Sequence, residues 1–211
     1  AAAQTPTITS ISPSTPSSSN SDQNVTVNGT NFQNGMTVTI FFPGGGSGTL
    51  SGTQLQNVTP TNFTMVATLN LSGTYGIRIN NPSGIPSSTF SFTVRPSISS
   101  FSPSSPCVND TNQSVVVNGA GFQSGLTVTV TFPTGGSTTL SGSQIQNVNA
   151  TSFTMIITLG TPGSYGIRVN NPSSGPQSTT NTLNAQNCLS ISSTTPSSPT
   201  QSNVDQNVQV S

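Results

Sequence analysis

Tyr75-Gly76-Ile77-Arg78-Ile79-Asn80-Asn81-Pro82-Ser83 returns 90 residues later as Tyr165-Gly166-Ile167-Arg168-Val169-Asn170-Asn171-Pro172-Ser173, with one conservative change. Two properties of this stretch decide the architecture. Tyr75, Ile77 and Ile79 stand at alternate positions, so an extended backbone puts all three on one face. The Asn-Asn-Pro-Ser that follows is turn chemistry, which ends the strand. The segment therefore reads as a half-buried strand closed by a turn, and it is present twice.

Neighbouring segments repeat the pattern. Val25 and Val27, then Met36, Val38, Ile40 and Phe42, then Phe63, Met65, Ala67 and Leu69 alternate with Thr and Asn. Thr at the outward positions suits a pleated surface and needs no charge. Gly and Pro punctuate at Asn28-Gly29, Asn34-Gly35, Pro43 to Gly46, Leu71 to Gly73 and Asn81 to Pro86. That spacing belongs to short antiparallel strands. Helical three-four spacing is missing, and the fold class is all-β.

The repeat sets the division of the chain. Between 22–86 and 112–176, 40 of 65 positions are identical without a gap. A period near 90 is a complete β-sandwich, not a solenoid unit that must be stacked on others. Ser97-Ile98-Ser99-Ser100 then returns at Ser190-Ile191-Ser192-Ser193, and Asp205-Gln206-Asn207-Val208 echoes Asp22-Gln23-Asn24-Val25. The expected units are 1–95 and 96–189, joined by short linkers, with 190–211 as the first strands of a third.

Composition narrows the function. The 211 residues include three Arg and three Asp, with no Lys, Glu, His or Trp, while 107 are Ser, Thr, Asn or Gln. Three scattered Arg cannot make the footprint that releases counterions from phosphates, so no nucleic-acid partner is expected. Acid-base catalysis lacks its usual groups, and Ser has no His or Lys to activate it. Asp22, Asp110 and Asp205 lie near the starts of successive repeats, too far apart to act as a carboxylate pair. The chain reads as no enzyme, with no catalytic, cofactor-binding or metal-binding residues and no cofactor. Only 29% of residues are apolar, yet alternation, ten Phe and zero net charge are not a disorder signature. No 18-residue apolar run is present, so no membrane-spanning segment is expected. Ala1 to Gln4 lacks the features of a signal peptide and is compatible with the trimmed end of one.

The order of motifs resembles the IPT/TIG immunoglobulin-like family. It is carried by Pro6 to Pro13, by Val25-Thr26-Val27-Asn28-Gly29-Thr30-Asn31-Phe32 with Gly35, and by Tyr75 to Gly84, with counterparts at Pro96 to Pro103, Val115 to Phe122 and Tyr165 to Ser173. The resemblance implies tandem immunoglobulin-like sandwiches of the kind that form stalks and fibres on bacterial surfaces. The motifs are specific for fold and weak for function.

In such a sandwich the first and last strands can lie together. A Cys107–Cys188 bond would then close an 82-residue segment and contribute about 4 kcal/mol by loop-closure reasoning. Pairing between subunits and free thiols are the alternatives. Either disulfide needs an oxidising setting, hence an extracellular or cell-surface location. The first unit has Ser17 where the matching Cys would sit. Asn-x-Ser/Thr sequons begin at Asn24, Asn28, Asn57, Asn62, Asn70, Asn109, Asn112 and Asn149. They offer sites for covalent glycans, although a chain this rich in Asn, Ser and Thr should hold about seven or eight by chance.

Arg78 and Arg168 read as outward side chains whose stems cover apolar surface, with ligand gripping as the alternative. Tyr75 and Tyr165 fall in the core phase with their hydroxyls at an edge, and Phe and Met read as core fillers. The expected function is a structural repeat protein, self-associating into an extracellular filament or continuing as further tandem domains of a surface stalk. An unfinished third unit would fit a longer chain. It would equally fit a strand donated to the next molecule, with Val204, Val208 and Val210 as the assembly strand. The alternative is an adhesin or carbohydrate-binding module.

Overall fold

The computed structural model describes residues 4–82, 84–172, 175–188, 194–195, 197 and 207–210. The first sandwich contains β1 (Thr7–Ser12), β2 (Asp22–Thr30), β3 (Thr37–Phe41), β4 (Ser47–Leu50), β5 (Leu55–Gln56), β6 (Asn62–Thr68), β7 (Gly73–Asn80) and β8 (Phe90–Val94). They form two antiparallel sheets, ordered β1-β2-β6-β5 and β4-β3-β7-β8. The second contains β9 (Ser97–Ser102), β10 (Asn109–Ala120), β11 (Thr127–Thr131), β12 (Ser137–Leu140), β13 (Ile145–Gln146), β14 (Ser152–Leu159), β15 (Gly163–Asn170) and β16 (Asn181–Ala185). Its sheets repeat the order, β13-β14-β10-β9 and β12-β11-β15-β16.

Alternation along the strands becomes two separate cores. Val25, Val27, Phe63, Met65 and Ala67 from one sheet meet Val38, Ile40, Tyr75, Ile77 and Ile79 from the other, all buried. The second core repeats this with Val115, Val117, Phe153, Met155, Val128, Val130, Tyr165, Ile167 and Val169. Phe42, expected at an inward position, is only half-buried, because it lies just past the end of β3 and packs edge-on against Tyr75 at 6.1 Å between ring centroids. Burying such side chains contributes about 1.5–3 kcal/mol each, so a chain with few apolar residues still closes two cores.

Two positions explain the Val-x-Val-x-Gly-x-x-Phe motif. A Cβ on Gly29 would sit 1.9 Å from the Thr7 carbonyl oxygen and 2.5 Å from the Phe32 ring. β1 can therefore approach β2 at this point only over glycine, with Phe32 folded beneath and packed edge-on against Phe63 at 5.2 Å. Gly119, Ser97, Phe122 and Phe153 repeat the arrangement in the second sandwich.

Both sandwiches close their β1 and β9 ends in the same way. After a cis Ser-Pro peptide at Ser12-Pro13 or Ser102-Pro103, the chain crosses to the other sheet and pairs in parallel just past its last strand, Ser17 with Arg95 and Cys107 with Gln186. Only Arg95 and Pro96 lie between β8 and β9. Beyond the second sandwich, β17 (Thr194–Thr195) and β18 (Gln209–Val210) pair antiparallel. Among the described residues no helix is long and apolar enough to cross a membrane.

Candidate functional site

Two serines at the lower end of the first sandwich, Ser18 and Ser72, meet the second sandwich. Ser18 and Ser72 are almost fully buried although neither lies in a strand. The Ser18 hydroxyl donates to the Ala120 carbonyl at 2.8 Å, and its own carbonyl accepts from the Ser97 hydroxyl at 2.7 Å. The Ser72 hydroxyl donates to the Gly121 carbonyl at 2.6 Å and accepts from the Asn171 amide at 2.6 Å. The same Asn171 amide also donates to the Gly121 carbonyl at 2.8 Å, while its side-chain oxygen accepts from the Gln123 backbone N–H at 3.2 Å. The Gln123 side chain then reaches back to the Ser72 carbonyl at 3.1 Å.

The result is a buried polar knot in which each hydroxyl and amide finds a partner across or along the junction. Buried polar groups are costly when unpaired, so an arrangement that satisfies them all favours one orientation of the two sandwiches. Its closeness depends on Gly121, which has φ of +73°. A Cβ there would lie 2.5 Å from the Ser18 hydroxyl and 3.1 Å from the Ser72 Cβ.

Among the described residues the knot does not recur at the opposite end of either sandwich. Position 31, equivalent to Gly121, is Asn, also left-handed at φ 58°. Its side chain turns back to the Thr5 carbonyl at 3.1 Å, and the side-chain oxygen of the neighbouring buried Asn81 has no partner. At the lower end of the second sandwich Val108 and Pro162 stand where the first has Ser18 and Ser72, and a disulfide is found there instead. Cys107 is bonded to Cys188 within the chain, with Cα atoms 5.4 Å apart. Both cysteines are exposed.

The other residues singled out by sequence fall as follows. Tyr75 and Tyr165 are buried; the Tyr75 oxygen accepts from the Leu71 backbone N–H at 3.2 Å, and the Tyr165 hydroxyl donates to the Thr161 carbonyl at 2.9 Å. Burial pushes the Tyr75 phenol above its ordinary value, opposed in part by the Leu71 hydrogen bond. Arg78 lies opposite Thr39 on the outer face, its guanidinium 5.9 Å from the Phe41 ring centroid. Arg168 lies opposite Thr129 in the matching place. Of the sequon asparagines, Asn24, Asn57, Asn62, Asn70, Asn109, Asn112 and Asn149 are exposed and Asn28 is half-buried. Val208 is exposed and Val210 lies in β18, while Val204 is outside the described residues. Asp22 accepts from the Thr68 hydroxyl across β2 and β6 at 2.5 Å, a role taken by Asn112 and Thr158 in the second sandwich.

The junction was not visible in the sequence. Ser18 and Ser72 are two of 71 Ser and Thr residues. A usable signal was the set of places where the copies differ: Asn31 against Gly121, Ser18 against Val108 and Ser72 against Pro162. Above the junction a cleft of about 460 Å³ opens between the sandwiches, lined in part by Pro43, Thr74, Thr93 and Gln123.

Residues 6–94, the first sandwich, match the family model of the IPT/TIG domain. In three dimensions the chain is similar to the BSP domain of a biofilm associated protein, with 18% identity, 87% of this chain and 30% of that one covered, and a TM-score of 0.30. It is also similar to murine CEACAM1b, with 17% identity, 85% and 99% coverage, and a TM-score of 0.30. The chain thus spans less than a third of the first of these structures. No curated protein matches it.

Proposed function

We propose that this chain is a structural, load-bearing part of an extracellular stalk or filament, in which immunoglobulin-like units follow one another in fixed orientation. Units at 1–95 and 96–189 are the working modules, and 190–211 opens a further unit or supplies a strand, with Val204, Val208 and Val210, to a neighbouring copy. The observation that carries this reading is the buried polar knot of Ser18, Ser72, Gly121 and Asn171, with the exposed Gln123 bonded at its rim. A loosely tethered pair of modules has no use for a junction in which hydroxyls and amides are buried and paired. The neutral surface of hydroxyls and amides suits an exposed spacer, and glycans on the exposed sequons would protect it further. The exposed disulfide suits an oxidising exterior.

The adhesive alternative needs a ligand surface, and the cleft at the junction brings prolines, glycines and hydroxyls to its wall but no aromatic platform. Electron microscopy of native surface material labelled with an antibody to this chain tests the proposal. Label repeated along thin beaded fibres is the expected result. Label found solely in the soluble intracellular fraction would reject it.

A further inference from the structure

Axial tension on a folded unit follows the path between the points where the backbone enters and leaves. In the first sandwich it enters through β1, reaches Pro16 to Ser18, and leaves after β8 at Arg95. These segments run parallel, joined by Ser18 N–H to the Arg95 carbonyl at 2.7 Å and Arg95 N–H to the Pro16 carbonyl at 2.9 Å. Parallel segments pulled from opposite ends are sheared, and nothing covalent bridges the entry and exit here. Once the bonds yield, the whole unit can pay out.

The second sandwich has the same pair of hydrogen bonds, Val108 N–H to the Gln186 carbonyl at 2.9 Å and Gln186 N–H to the Pro106 carbonyl at 3.0 Å. Two residues past Gln186 stands Cys188, bonded to Cys107 on the entering segment, at a sequence separation of 81. Force arriving at Cys107 crosses the sulfur bridge directly to Cys188. We propose that the disulfide shunts tension past the second sandwich, making it an inextensible link, while the first sandwich, with Ser17 in the place of Cys107, is the extensible one. Only β9, which precedes the bond, can peel from the second sandwich under load. The inference rests on the load-bearing reading for its biological purpose, though the shunt itself follows from where the chain enters, where it leaves and what joins those points.

Single-molecule pulling on the full chain by its two ends tests it, first without reductant and then with dithiothreitol. The reductant delivers two electrons and two protons to the exposed bridge, giving two thiols. Without it, the trace should hold one full unfolding step of roughly 27 nm and a short extension of about 3 nm from β9. With it, a second full step of roughly 28 nm should appear. Two full steps without reductant, or one in both conditions, would overturn the shunt. The converse variant carries Ser17→Cys with Ser97→Cys: Ser97 follows Arg95 by two residues, as Cys188 follows Gln186, and its hydroxyl already reaches the Ser18 carbonyl. When oxidised, this chain should show no full step until reductant is added, and a full step persisting in the chain whose new bond is verified by mass would count against the mechanism. The wild-type comparison stands whether or not that variant folds. A chain that pulls as expected but never reaches a surface fibre would refute the stalk and leave the shunt intact; fibre labelling with two steps in oxidised material would do the reverse.

Discussion

Tyr75 links the stability of the first sandwich to pH. With no histidine, nothing in the side-chain inventory switches at physiological pH by the usual route. The Tyr75 ring is buried, and its phenol is raised by that burial. A tyrosine whose folded value lies above its unfolded value holds its proton more tightly when folded. Its contribution to stability is whole below about pH 10, the unfolded value, and is lost as pH climbs through the folded one. The thermal midpoint of the first sandwich should therefore fall at strongly alkaline pH together with the rise of tyrosinate absorbance, and Tyr75→Phe should flatten part of that fall. An alkaline fall unchanged by Tyr75→Phe would assign it elsewhere. The core phase of both tyrosines was legible from alternation alone, because a strand has only two faces. The knot residues were not, since a buried serine and an exposed one have the same local sequence preferences and differ only in what another unit brings to them.

Strands were the most legible elements. The alternating runs became strands with the expected face inward, Phe42 excepted, and the Gly-Pro interruptions fell between strands or at a strand's first residue, except Asn28-Gly29, which lies inside β2 because Gly29 lets β1 pack against it. What the pattern missed are pairings of one residue, Ser17 with Arg95 and Cys107 with Gln186. A single bridge has no period, so nothing in a linear reading marks it. The contact of β1 with β2 has a sharper signature. Because a Gly29 Cβ would collide with the Thr7 backbone, Gly29→Ala must push β1 away or distort the turn, at a cost of about 3 kcal/mol. Gly44→Ala, with open space around its Cβ and no positive φ, should stay within about 0.5 kcal/mol of the parent. Denaturant midpoints of the two variants check this, and equal shifts would deny the close approach its role in the motif.

For the molecule as a whole, the 90-residue repeat predicted two like sandwiches, and the structure has them with identical sheet orders. Identity between the copies described the units and was silent about their arrangement, which resides where the copies diverge. Gly121, Ser18 and Ser72 hold one sandwich to the next, while Asn31, Val108 and Pro162 stand at the equivalent positions of the other copy. Order is thereby written into the ends of otherwise interchangeable modules, with a hydrogen-bonded junction on one side of the second unit and a covalent bridge on the other. The claim that the junction fixes the two sandwiches as one rod is tested most directly by residual dipolar couplings measured on the intact chain and on Gly121→Asn, the residue that the first sandwich carries at this place. One alignment tensor should fit both wild-type sandwiches, and the variant should need two. Separate tensors for the wild-type sandwiches would contradict the claim.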